Sequence, residues 1–117
     1  MKIRIKGNSL RYRLTKRDVG QFTEDGYIEE TISFGSQTLV YALQRHTDKH
    51  LSALFTNNKI TLLMPETMAT EWELTDIVGF EHQDNGLFLL VEKDFKCLDN
   101  IAEDQSDNYP NPLASAI

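Results

Sequence analysis

The sequence predicts an α+β domain in which a ββαββ unit occurs twice, forming one curved antiparallel sheet or flattened barrel with two short helices. Three observations predict it. Apolar residues alternate with polar ones in short runs, the period of half-buried strands. Residue pairs that favour tight turns separate those runs. Two helix starts, Thr15 and Pro65, stand fifty residues apart, and the pattern around the first returns around the second.

In chain order, Ile3 and Ile5 alternate with Lys2, Arg4 and Lys6, and after Gly7-Asn8-Ser9 the pattern resumes as Leu10, Tyr12 and Leu14 against Arg11 and Arg13. This is a hairpin with one apolar and one basic face. Thr15 precedes Lys16-Arg17-Asp18, a Thr-x-x-Asp spacing in which a hydroxyl and a carboxylate satisfy free amides of a helix's first turn. That helix buries Val19 and Phe22 and stops by Gly26. Tyr27 to Phe34 alternates again, Gly35-Ser36 turns the chain, and Thr38 to Gln44 is rich in β-formers. Leu51 to Phe55 and Ile60 to Met64 flank Asn57-Asn58. Pro65 suits the first turn of a helix, where its missing amide costs nothing, and Met68, Ala69 and Trp72 supply a buried stripe. Ile77 to Phe80 and Leu87 to Val91 flank Asp84-Asn85-Gly86, a strong hairpin turn.

Trp72 lies fifty residues after Phe22, Asn58 after Asn8, and Leu89 after Leu39. Units of this kind draw on few residue types, so shared apolar class alone does not require a duplication. Agreement in turn chemistry favours one. Residues 1–96 therefore read as a single domain of two pseudo-repeats, 1–45 and 51–95, and residues 97–117 as an acidic extension containing Pro and Asn.

A chain of 117 residues, 40% apolar and 26% charged, fits one globular domain with a single core. Cys97 is alone, which excludes an internal disulfide and suits a reducing compartment. The opening residues lack the apolar stretch of a secretory signal, and no run approaches a membrane span, so a cytoplasmic location is expected. A net charge of −6 argues against non-specific nucleic-acid binding.

The charge is unevenly placed. Residues 1–17 hold seven of the twelve Lys and Arg and none of the eighteen acids. That segment carries +7, and the remainder, with five cations and eighteen acids, carries −13. Lys2, Arg4, Lys6, Arg11 and Arg13 project from adjacent strands about 5 Å apart, so their heads can converge on one anion. The planar fork of Arg suits phosphate or carboxylate oxygens. If this face turns inward, low dielectric strengthens anion capture; if it meets water, the chain's own acids can neutralise it. Glu29, sharing a strand face with Thr31 and Ser33, is one cross-strand partner to consider. Asp104 and Asp107, folded back from the tail, are others. In the second half the equivalent positions are Leu54, Thr56, Thr61 and Leu63, a face suited to packing on the tail or on a second subunit.

The Arg11-Tyr12-Arg13 strand on a duplicated sheet resembles the Leu-Arg-x-Arg strands of the CYTH, or triphosphate tunnel, superfamily. That resemblance implies inward basic residues holding a triphosphate. The family's N-terminal Glu-x-Glu-x-Lys is absent, and Lys2-Ile3-Arg4-Ile5-Lys6 occupies its place, so the metal-binding acids of two-metal hydrolysis are missing. From end to end the chain is similar to a family of small uncharacterised bacterial proteins. Two stretches carry that likeness. One is Ile3-Arg4-Ile5-Lys6-Gly7-Asn8-Ser9 with Leu10-Arg11-Tyr12-Arg13-Leu14. The other is Glu92-Lys93-Asp94-Phe95-Lys96-Cys97-Leu98 with Glu103-Asp104-Gln105-Ser106-Asp107-Asn108-Tyr109-Pro110-Asn111-Pro112. It implies no activity.

Other chemistry finds little footing. Cys97, Asp99, Glu103, Asp104 and Asp107 mix soft and hard donors with no second Cys and no EF-hand spacing, so no metal or other cofactor is expected. His46 and His50 fall in a loop between the halves, and His82 lies beside a turn. No Gly-x-Ser-x-Gly elbow or Gly-rich phosphate loop occurs. The sequence thus favours a non-catalytic module whose Lys2, Arg4, Lys6, Arg11 and Arg13 grip a phosphate-bearing or carboxylate small molecule. The runner-up is a structural or interaction protein, dimeric, whose basic face meets its own tail or an acidic partner. Third comes a CYTH-like phosphohydrolase, for which Glu29, Glu30, Glu81 and Glu92 are the only strand-borne acids.

Overall fold

The two halves exchange hairpins. In the computed structural model, which describes residues 1–95, the first half runs β1 (Lys2–Ile5), β2 (Ser9–Leu14), α1 (Lys16–Asp25), β3 (Tyr27–Ser33) and β4 (Thr38–His46). The second runs β5 (Ser52–Thr56), β6 (Lys59–Pro65), α2 (Glu66–Leu74), β7 (Gly79–Asp84) and β8 (Leu87–Lys93). One sheet has the order β1-β2-β8-β7 and the other β3-β4-β6-β5, so each takes one hairpin from each half. Hairpin pairs are antiparallel, whereas the joins β2–β8 and β4–β6 are parallel. The expectations placed on Cys97, Asp99, Glu103, Asp104, Asp107 and Tyr109 lie outside the described residues.

The α+β class and the repeated ββαββ order are those the sequence predicts. The sheet arrangement differs: two four-stranded mixed sheets, not closed into a barrel, stand in place of one antiparallel sheet. The cause is the helix in the middle of each unit. Packed sheets lie about 10 Å apart, and a helix of 10 residues spans about 15 Å. Each helix therefore carries the chain from one layer to the other. Hairpins of one half end up in different layers, and each finds its neighbour in the other half.

The exchange is close to two-fold but not exact. Arg11 stands opposite Leu90, whereas Thr61, fifty residues later, stands opposite Ala42 rather than Val40. A slip of two residues keeps every side chain on its own face; a slip of one would invert the strand. All four hairpin turns consequently lie at one end of the sheets and both helices at the other. Asn57, Asn58 and Asn85 adopt left-handed backbone in those turns, as their residue types foretell.

One core fills the space between the layers. Leu10, Tyr12, Leu14, Leu89 and Val91 enter it from the first sheet and Ile28, Leu43, Leu62 and Met64 from the second. Val19 and Phe22 of α1 and Ala69 and Trp72 of α2 close the helical end. Tyr12 is fully buried, donates its hydroxyl to the Ile60 carbonyl at 3.3 Å and meets Tyr41 edge to face, with ring centroids 6.3 Å apart. Burial raises its pKa well above the ordinary phenol value, which keeps it a neutral donor linking the two sheets. Among the described residues no helix is long and apolar enough to cross a membrane.

The helix ends follow the sequence. The Asp18 N–H donates to the Thr15 hydroxyl at 3.2 Å, and the Thr15 N–H donates to the Asp18 carboxylate at 3.0 Å, a complete capping box. The Met1 amine also binds Asp18 at 2.8 Å and Glu30 at 3.3 Å. Burial pushes the Asp18 carboxyl up, but bonds from the amine and from Thr15 outweigh it and hold the pKa below its usual value. Gly26, with φ of 73°, ends α1, and Arg45 donates to the Thr23 carbonyl at 3.0 Å, placing a cation at the helix C-terminus. Pro65 gives α2 no side-chain cap; Trp72 instead ties the following loop by donating its indole N–H to the Val78 carbonyl at 2.9 Å.

Two predictions follow from these contacts. Asp18→Asn is expected to cost about 1–2 kcal/mol at neutral pH through loss of the cap and the ionic bonds. Because the folded pKa of Asp18 is depressed, its contribution is present above the unfolded carboxylate value and fades as pH falls through the folded one. Urea unfolding between pH 7 and pH 2 should show a shallower acid decline in the variant than in the parent. At Gly79 a Cβ would meet the Val91 carbonyl oxygen and stand 2.8 Å from the Glu92 Cα. Gly79→Ala is expected to destabilise the fold by about 2–3 kcal/mol, readable as a lowered urea midpoint at unchanged m-value.

Candidate functional site

Alternation along β2 sends Leu10, Tyr12 and Leu14 into the core and Arg11 and Arg13 to the outer face of the first sheet. Cross-strand pairs Lys2 with Arg13 and Arg4 with Arg11 bring β1's cations beside them, and Lys6 follows just beyond Ile5. The five predicted residues therefore share one face, and it looks outward. Of the two orientations open to the sequence, the outward one holds, and among the described residues the sheets enclose no tunnel for them to line.

The parallel join adds what the first half lacks. Arg13 stands opposite Glu92 and Arg11 opposite Leu90, which in turn faces Glu81. One oxygen of Glu92 accepts from Nε of Arg11 and from Nε of Arg13, both at 2.8 Å, and Lys2 Nζ lies 3.0 Å from the Asp94 carboxylate. A single carboxylate thus holds two like charges together. Among the described residues, the five cations share this region with three carboxylates, Glu81, Glu92 and Asp94. Next to this network Arg4, Lys6, Ser9, Leu10, Arg11, Phe88 and Leu90 line a cavity of about 270 Å³. It offers guanidinium and ammonium donors beside an aromatic ring and two leucines.

Glu29 is not the partner considered for this face. It lies on the second sheet, where it accepts from the Tyr27 hydroxyl at 3.0 Å and stands 4.0 Å from Lys59 Nζ. Lys59 sits 4.7 Å above the Tyr27 ring, and its bond with Tyr27 raises its pKa. Glu30 holds the Met1 amine. The four strand-borne glutamates are thus divided between two sheets, with only Glu81 and Glu92 on the basic face. Among the described residues no three His, Cys, Asp or Glu gather as a metal site.

The second half provides an internal comparison. Fifty residues after Lys2, Arg4, Lys6, Arg11 and Arg13 stand Ser52, Leu54, Thr56, Thr61 and Leu63, and fifty before Glu92 stands Ala42. Cross-strand pairing confirms the equivalence, since Leu54 faces Thr61 as Arg4 faces Arg11. On the second sheet Ala42, Thr61 and Leu63 are buried and form no ionic network. The same position in the same architecture is therefore built without cations.

One cluster escaped the sequence reading. His50 and His82 stack in parallel with centroids 4.6 Å apart, across a groove that Asp48 and Asp84 also line. They come from the segment before β5 and from β7, edge strands of different sheets, and no local pattern signals that meeting. His46 ends β4 and accepts the Asp48 N–H through Nδ1 at 3.1 Å.

Glu92→Gln would leave Arg11 and Arg13 side by side without their shared carboxylate. Since both guanidiniums are partly exposed, the expected cost is about 1 kcal/mol at low salt, shrinking as sodium phosphate is added. Urea midpoints of parent and variant across a salt series check it.

No curated protein and no solved structure matches the chain. The likeness to the CYTH superfamily finds no support, whereas the whole-chain resemblance to an uncharacterised family does. A family of unknown function, DUF7009, matches residues 1–113, and the chain belongs to that family.

Proposed function

We propose that this domain is a non-catalytic binding module for a phosphate-bearing or carboxylate small molecule, held by Arg4, Lys6 and Arg11 with Lys2 and Arg13 alongside. One observation carries the reading: the duplicated fold does without these cations at all five equivalent positions, two of which, Thr61 and Leu63, are buried, so the charge belongs to the exposed face of the first sheet and not to the repeat. The cavity of about 270 Å³ supports it, because Arg4, Lys6 and Arg11 all line it. Glu92 supports it too. It anchors both guanidiniums by Nε and so fixes the direction in which their remaining N–H groups point.

The runner-up, an interaction domain that dimerises, is favoured by Leu54, which is 55% exposed on the outer face of the second sheet. The two readings differ in a thermal titration with inorganic phosphate and tripolyphosphate, with and without magnesium. A ligand at a hundredfold over its Kd stabilises by about 2.7 kcal/mol, a rise of several degrees for a domain of this size. The expected result is a rise that needs no magnesium and is lost in Lys6→Ala and Arg11→Ala. An unmoved melting temperature with every anion, together with a dimer by sedimentation, would replace this reading with the interaction one.

A further inference from the structure

The first sheet's outer cavity adjoins a second cavity of opposite character. At the turn end, away from the helices, no described helix covers the space between the two sheets. Ile5 and Phe55 project inward there but remain 60% and 68% exposed, while Leu14, Met64 and Val91 at the helical end are fully buried. Ile5, Leu10, Ala53, Phe55, Ile60 and Leu87 line a cleft of about 270 Å³ between the sheets, and among the described residues none that is charged contributes to it.

The two spaces are neighbours at the β1–β2 turn. Ser9 and Leu10 line both, and Lys6 in the basic cavity is followed directly by Gly7 in the apolar one. At Gly7 φ is +53°, and among the described residues nothing lies within 4 Å of where a Cβ would stand, so the turn that forms the rim between the cavities is open at that point. That rim is also held in place: the Asn8 side chain donates to the Gly86 carbonyl at 2.8 Å, and the Phe88 N–H donates to the Asn8 carbonyl at 3.1 Å. Together the two volumes fall in the range of small-molecule sites, which are mostly apolar with a few placed polar groups.

We propose that the ligand is an amphipathic anion, with a carboxylate or phosphate head on Arg4, Lys6 and Arg11 and an aliphatic chain that crosses Gly7 into the cleft lined by Ile5, Leu10, Phe55, Ile60 and Leu87. This rests on the anion-binding reading above and narrows it. A plain anion leaves the cleft empty, and a neutral hydrocarbon does not match the charged lining; only a molecule with both parts complements both spaces. Since a buried methylene contributes about 0.8 kcal/mol, each carbon the cleft covers should multiply affinity up to about fourfold.

Calorimetric titration of the full chain with inorganic phosphate, acetate, hexanoate, octanoate, decanoate, decyl phosphate and decanol tests it. Affinity is expected to climb with chain length and then level off, with decanol at least tenfold weaker than decanoate. Arg11→Ala should weaken phosphate and decanoate by the same factor. Phe55→Ser should weaken decanoate at least tenfold and leave phosphate unchanged; Ile5→Ser, at an exposed position, serves if the first variant fails to fold by circular dichroism. Phosphate binding with no dependence on chain length would overturn the amphipathic ligand and spare the anion site. Decanol binding as tightly as decanoate, indifferent to Arg11→Ala, would overturn both. Absence of binding, with a dimer that Phe55→Ser dissociates, would assign the cleft to a second copy of the chain and overturn the proposal.

Discussion

Everything in this fold depends on the two parallel joins, β2 with β8 and β4 with β6. Neither half can complete a sheet by itself, because its two hairpins lie in different layers and a lone hairpin is marginal in water. The halves are therefore one cooperative unit despite their separate sequence patterns. Parallel pairing of β2 with β8 joins strands from opposite ends of the described chain, the kind of contact whose loop-closure cost slows folding. Tyr12 reinforces the arrangement from within, bonding from one sheet to the other across the core.

The same join builds the candidate site. The β1–β2 hairpin carries five cations and no acid; only when β8 docks beside β2 does Glu92 come under Arg11 and Arg13. The second sheet, assembled by the equivalent join, brings Ala42 against Thr61 and Leu63 against Gln44. A shared architecture with unlike chemistry separates what folding requires from what it does not. Tyr12 and Leu62 face the core at equivalent positions in both halves and belong to the first category. Arg11 and Arg13, whose counterparts are Thr61 and Leu63, are proposed to belong to the second.

Local features were legible in the sequence because their causes are local. Thr15 and Asp18 announce a helix start by their spacing, Asn57-Asn58 and Asn85-Gly86 announce turns by their tolerance of positive φ, and Val19, Phe22, Ala69 and Trp72 announce buried stripes by period. Strand partners were not legible. An apolar alternation fixes which face of β8 is inward but not whether β2 or β4 lies next to it, and either neighbour satisfies the pattern. For that reason the basic face was identified residue by residue, while of the counter-ions sought for it Glu29 lies on the other sheet, Asp104 and Asp107 lie outside the described residues, and Glu92, which pairs with Arg11 and Arg13, was missed. His50 and His82 show the same limit, since each looks like a solvated loop residue until two sheet edges meet.

The central claim is that the cations on the first sheet serve a ligand rather than the fold, and the duplication supplies its own test. Arg11→Thr, Arg13→Leu and Glu92→Ala, made together, give the first sheet the residues found at the equivalent positions of the second. The measurement is urea unfolding of this triple variant, followed by Trp72 fluorescence, alongside its titration with tripolyphosphate. The account predicts a cooperative transition with a stability within about 1 kcal/mol of the parent, since surface ion pairs contribute little, and no response to the anion. A variant that loses its cooperative transition, or one that keeps full anion affinity, would contradict it.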